Sequence, residues 1–132
     1  MVDRVKTIFE YAKERFGTDL EYLWKNDANS AVLRNKINRK WYAIVMKVKR
    51  DSLCLEGIGS VWIMNVKCDP MMVGSFINRK GFLPAYHMNK EHWMSIVIDD
   101  SSVAMEEILN ILEMSYEIVD KAKKSKGKNR TD

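Results

Sequence analysis

The sequence predicts an α+β fold in two layers, a largely antiparallel sheet of about five strands with three helices in the order α-β-β-β-β-α-β-α. Three observations predict it. Apolar residues recur at helical spacing near the start, in the middle and towards the end of the chain. Runs rich in β-branched and aromatic residues lie between those stretches, broken by Asn, Asp and Gly. The links between the first runs have hairpin length, which implies antiparallel pairing.

Residues 2–16 place Val2, Val5, Ile8, Phe9, Ala12 and Phe16 on one stripe, and Gly17 supplies a left-handed stop. A short strand over 20–24 ends at Asn26, Asp27, Asn29 and Ser30. Strands 31–37 and 41–48 flank the polar tip Asn38-Arg39-Lys40 as a hairpin. The apolar piece 53–55 is separated by Gly57 and Gly59 from strand 61–67, and together these make a broken fourth strand. Asp69-Pro70 is a helix start, with an N-cap acceptor followed by proline at the first helical position, and that helix stops near Gly81. A loop containing Pro84 leads to strand 93–98. Asp99, Asp100, Ser101 and Ser102 are N-cap candidates for a last helix that buries Met105, Ile108, Leu109, Leu112, Tyr116 and Val119.

Strands 41–48 and 93–98 are apolar at nearly every position, whereas a sheet covered on one side alternates. Three helices cover one face of such a sheet but hardly both. The second face is therefore expected to meet a protein partner, a second copy or a ligand.

With 132 residues, 46% hydrophobic and 30% charged, the chain fits one domain with its own core. The N-terminal stretch carries a charge every two or three residues, and no apolar run has the length of a signal or membrane-spanning segment, so a cytoplasmic location without membrane association is expected. Cys54 and Cys68 then read as reduced thiols. The net charge of +4 is unevenly placed. Residues 121–132 hold six basic residues and Asp132, leaving 16 basic and 17 acidic residues in 1–120. The reading is therefore a domain over 1–120 and a basic, disordered tail over 121–132. Ending the chain after Lys121 should leave the melting temperature unchanged, and a drop of several degrees would show that the tail docks.

Chemistry-bearing constellations are few. His87 and His92 lack the i, i+4 spacing of a helical zinc pair, and Cys54 and Cys68 are distant in sequence, so no metal or cofactor is expected. Gly57-Ile58-Gly59 is not followed by the helix start that a phosphate loop needs. No nucleophile elbow or catalytic carboxylate pair is visible, and a non-enzymatic role is expected. Trp24, Trp41, Trp62 and Trp93 fall on different predicted strands, as sheet packing or as a stacking platform for bases. Residues 34–50 contain Arg34, Lys36, Arg39, Lys40, Lys47, Lys49 and Arg50 and no acid before Asp51, which suits phosphate contact or a solvated edge equally.

The stretches Asn65-Val-Lys-Cys-Asp-Pro70 and Gly81-Phe-Leu-Pro-Ala-Tyr-His-Met-Asn-Lys-Glu-His-Trp93 resemble the MmcQ/YjbR family of small bacterial proteins, and Trp41-Tyr-Ala and Ser115-Tyr116 fall where that family has similar residues. The resemblance covers about 1–120. It implies a two-layer α+β domain similar to CyaY-like and secretion-chaperone-like folds, and DNA binding through wing-like elements. It brings no catalytic residues. The functional expectation is thus low-specificity binding of DNA or another polyanion through Arg34, Lys36, Arg39, Lys40, Lys47 and Lys49 and the tail. The rival is a protein-interaction or chaperone-like adaptor, acting as a homodimer or on a protein partner through the second sheet face. His87, Asn89, Lys90 and His92 are either turn-forming residues or a binding surface.

Overall fold

The amphipathic stripe of the first segment folds as α1, Val2–Phe16. Its end is a paired cap: Gly17 N–H donates to Lys13 O and Thr18 N–H to Ala12 O, with Gly17 at φ +67°. The computed structural model describes residues 2–22 and 29–131, with side chains for 4–22 and 29–120. Trp24 and the turn residues Asn26 and Asp27 lie outside the described residues.

The strands are β1 (Glu21–Tyr22), β2 (Ser30–Arg34), β3 (Trp41–Lys49), β4 (Ser60–Lys67), β5 (Phe82–Pro84) and β6 (Trp93–Val97). They form one antiparallel sheet in the order β1-β2-β3-β4-β6-β5. The sheet thus has six strands, one more than expected. The added strand, β5, was expected to be loop because it contains Pro84. Proline is tolerated there because β5 pairs only with β6 and lies at the sheet edge, where a missing N–H breaks no ladder. The apolar piece 53–55, expected to belong to the fourth strand, instead closes a 3-10 turn, Arg50–Leu53, with Cys54 as its cap in the left-handed region at φ 57° and Leu55 just beyond.

Helix α2, Pro70–Ile77, begins as its sequence dictates, with Asp69 Oδ1 accepting the Met71 N–H at 2.9 Å and proline in the first turn. Helix α3, Met105–Thr131, starts later than the capping candidates suggest. Asp100 closes a turn within the β6–α3 connection by accepting the Ser102 N–H, and Asp99 Oδ2 ties that connection to the sheet by accepting the Trp62 N–H at 3.1 Å. At its other end α3 takes in residues 121–131, which composition had assigned to a disordered tail. Lysine is a good helix former, and extending a helix that is already nucleated and packed fixes one residue per added bond. Among the described residues no helix is long and apolar enough to cross a membrane.

The helix side of the sheet holds the larger core. Tyr42, Val45, Met64, Val66, Met94 and Ile96 pack there against Val5, Ile8, Ala12, Ile108 and Leu112. The second face does not lie open for a partner. Val32, Ile44, Val48, Val61, Ile63 and Val97 are each at most 7% exposed, and Met46, Leu53, Leu55, Leu83 and Tyr86 pack over the cluster centred on Val48 and Ile63. The expectation of an exposed apolar sheet face is corrected. Connecting segments, which carry few apolar residues in sequence, cover this face in place of helices. Among the described residues the large apolar side chains that are exposed, Tyr22, Ile37, Ile58, Met71 and Met72, are distributed over four separate segments.

Two details fix the sheet at the end where β3 begins. The β2–β3 register shifts, Leu33 facing Ala43 and Arg34 facing Trp41, so Tyr42 occupies a bulge. The buried Ser115 hydroxyl of α3 then bridges the strands, donating to Tyr42 O and accepting the Lys67 N–H at 2.8 Å. At the opposite edge Gly81 is at φ +95°, and a Cβ there would lie 2.4 Å from Cγ2 of the fully buried Val103. Gly81→Ala is expected to cost about 2–3 kcal/mol, from overpacking and backbone strain together. A chemical-denaturation midpoint equal to wild type would contradict that packing.

Candidate nucleic-acid interface

The tip of the β2–β3 hairpin is built on a buried asparagine. Asn35 Oδ1 accepts the N–H groups of Ile37 (2.9 Å) and Asn38 (3.0 Å), a local side-chain turn that needs this short amide. Asn38 Oδ1 accepts the Lys40 N–H at 2.9 Å, and Arg39 takes the left-handed region at φ 63°. The same two asparagines reach α3: Asn38 Nδ2 donates to Val119 O at 3.3 Å and Asn35 Nδ2 to Asp120 Oδ1 at 3.4 Å. The basic hairpin tip is therefore held against the turn of α3 from which the run Lys121, Lys123, Lys124, Lys126, Lys128 and Arg130 begins.

The structure divides the hairpin's predicted phosphate contacts into three groups. Arg34 and Arg39 both bond Glu21, at 3.1 and 2.8 Å, and Arg34 also lies over the Trp41 ring at 5.4 Å, so one carboxylate compensates part of their charge. Lys36 is exposed and lies over Gly17, its Nζ 3.8 Å from where a Cβ would stand, beside the C-terminal end of α1 that favours a cation. Lys40 is half-buried nearby. Lys47 and Lys49 are exposed near the far end of β3, roughly 20 Å of extended chain from Lys40, and do not join this surface.

A lysine absent from the sequence reading completes the near group. Lys67, the last residue of β4, lies over Trp93 with its Nζ 5.8 Å from the ring centre. Its pKa is lowered from the ordinary value by partial burial and, secondarily, by the charge of Lys40. That repulsion is the electrostatic mark of two ammonium groups sharing one surface. Nothing in the linear sequence brings Lys40 and Lys67 together; the β3–β4 pairing and the Ser115 bridge do. The three described tryptophans do not form a common platform. Trp62 packs against the helix-side core, Trp93 is 7% exposed, and Trp41 carries the Arg34 guanidinium.

The 84–92 connection divides in the same way. Asn89 is a turn residue: its Oδ1 accepts the Glu91 N–H at 2.8 Å and its carbonyl the Trp93 N–H at 3.0 Å. The His92 carbonyl accepts the Cys68 N–H at 2.8 Å, locking this loop to the β4–α2 junction. His87 and Lys90 instead line a cleft of about 400 Å³ with Leu53 and Cys54 of the opposite segment. Cys54 is exposed, whereas Cys68 is buried, with burial and then the adjacent Asp69 pushing its thiol pKa up. Among the described residues no three His, Cys, Asp or Glu side chains converge as metal ligands.

Comparison with known proteins places this geometry in a family. Residues 15–118 match the model of the YjbR family. The chain is 40% identical over 111 residues to the uncharacterized protein YyaQ of Bacillus subtilis, covering 84% of this chain and 93% of that one. A crystal structure of a Pseudomonas syringae protein superposes with a TM-score of 0.81 at 31% identity, covering 86% of this chain and 96% of that one. A Deinococcus radiodurans protein with a DUF419 domain shares the fold, with a TM-score of 0.63 at 19% identity over 90% of this chain and 78% of that one. The matched span runs from the end of α1 through the Ser115 bridge, and the chain belongs to the YjbR family.

Proposed function

We propose that this protein binds nucleic acid with low sequence specificity, without catalysis, through phosphate contacts made where the hairpin tip, the end of β4 and the basic run of α3 meet. The observation that carries this reading is the attachment of the tip to α3 by Asn35 and Asn38. It brings the hairpin tip to the turn of α3 at which the second basic segment, about 80 residues further along the sequence, begins. Residues 1–120 are otherwise near neutral, so a concentrated face is what lets them attract a polyanion. Lys36, Lys40 and Lys67 supply the fixed part of that surface; the six basic residues after Asp120 supply the remainder. Arg34 and Arg39 contribute less, because Glu21 already pairs with them.

The test is fluorescence anisotropy with a labelled random duplex at low salt, comparing wild type, Lys36→Gln/Lys40→Gln/Lys67→Gln, the chain ended after Lys121, and the two changes combined. Each change alone should weaken binding, and the combination should abolish it. A triple-glutamine variant that binds like wild type would reduce the activity to nonspecific attraction by the basic run alone.

A further inference from the structure

On the second face of the sheet, away from the basic surface, the cleft between the 3-10 turn and the 84–90 loop has features of a small-molecule site. Its volume, about 400 Å³, falls in the range that holds small organic ligands. Leu53, Leu83 and Tyr86 give it apolar walls, while Cys54, His87 and Lys90 supply its reactive and charged groups. Among the described residues no carboxylate lines it, and the Lys90 ammonium and the His87 imidazole stand at its wall as donors.

Both walls are braced from beneath. Tyr86 N–H donates to Ser95 Oγ at 3.0 Å, Asn65 Nδ2 donates to Tyr86 O at 2.9 Å, and Ser95 and Asn65, both buried, bond each other. Opposite, Leu55 N–H donates to Arg50 O at 3.0 Å and Cys54 N–H to Asp51 O at 3.2 Å. These bonds hold Cys54 and His87 in the left-handed region, at φ 57° and 58°, where few non-glycine residues sit. The His87 ring stands edge-on to Tyr86, with centroids 4.0 Å apart. A cleft held this firmly loses little freedom when a ligand enters.

We propose that this cleft binds a small organic anion, an apolar or aromatic body carrying one carboxylate or phosphate, with the anionic group on Lys90 and His87 and the body against Leu53, Leu83 and Tyr86. Cys54 at the wall gives a direct readout, because it is the exposed thiol of the two. In the full chain, benzoate and phenyl phosphate should each slow iodoacetamide alkylation of Cys54, and benzyl alcohol, which lacks the charge, should not. The more effective of the two anions identifies the head group. Lys90→Gln should weaken protection about tenfold, as expected for one lost charge-assisted contact. His87→Asn, which keeps a residue that tolerates positive φ, should weaken it as well. Amide chemical shifts in the unmodified chain provide a check independent of the variants, and changes should centre on residues 53–55 and 85–90. Absence of protection by either anion at roughly 10 mM, equal protection by benzyl alcohol, or shifts spread over the surface would overturn the proposal.

Discussion

Tyr42→Ala should cost about 3–5 kcal/mol, as expected for a fully buried aromatic side chain cut to a methyl group. The ring stands edge-on to Phe16 at 5.7 Å and to Tyr116 at 5.0 Å, and those two stack on each other at 4.0 Å, so one deletion loosens α1 and α3 together. Tyr42→Phe keeps the ring and removes only the hydroxyl, which bonds the buried Thr18 Oγ1. It should cost about 1–3 kcal/mol, the range for leaving a buried hydroxyl unpaired. Burial also raises the Tyr42 pKa above its ordinary value of 10.0, with the Thr18 hydrogen bond opposing that rise. A raised folded-state pKa means that stability is intact below pH 10 and is lost as pH climbs above it, because the unfolded tyrosine ionises while the buried one resists. Tyr42→Phe should flatten that alkaline loss. Denaturation curves of the three proteins at neutral and alkaline pH decide this. A Tyr42→Ala cost below about 1 kcal/mol would contradict the packing described for this ring.

Much of the fold was legible because local chemistry agreed with tertiary structure. The stripe from Val5 to Phe16 with Gly17, the Asp69-Pro70 start and the runs of β-branched and aromatic residues in β3 and β4 each carry a signal that stands without long-range information. The departures have a common cause. Strand β5 has three residues and a proline, and it is strand only because the β6 edge pairs with it. The segment 53–55 has strand-like composition, but its apolar side chains are used to cover the second face. Two-sided apolarity was read as a face left for a partner or ligand, whereas the chain itself buries it. The source of the cover was misplaced, because a chain whose loops carry single leucines gives no periodic sign that they will close over a sheet.

The candidate surface was legible in part. Charge segregation directed attention to the hairpin and the C-terminal run, and the tip does stand beside the start of that run. Sequence could not show that Glu21, on the neighbouring strand, takes both Arg34 and Arg39, since that pairing depends on the β1–β2 register. Nor could it select Lys67, whose neighbour Lys40 is set by sheet pairing. In the 84–92 connection, the turn role of Asn89 was foreseeable from its residue type, whereas the approach of Cys54 to His87 and Lys90 comes from the path of the covering segment.

The most direct measurement of the central claim is the salt dependence of duplex binding by the chain ended after Lys121, with and without the three lysine substitutions. Each neutralised phosphate contributes about −0.9 to the slope of log K against log salt, so Lys36, Lys40 and Lys67 together should give roughly −2 to −3. Replacing all three with glutamine should bring the slope close to zero, whereas replacing the distant Lys47 and Lys49 should leave it unchanged. Removing the basic run beyond Lys121 first matters, because its five positive charges (Lys123, Lys124, Lys126, Lys128 and Arg130) would bind a polyanion on their own and conceal the fixed surface. A slope near −2 to −3 that vanishes only with Lys36, Lys40 and Lys67 is the result the account predicts. No salt-dependent binding by the shortened chain, or a slope that survives their replacement, would contradict it.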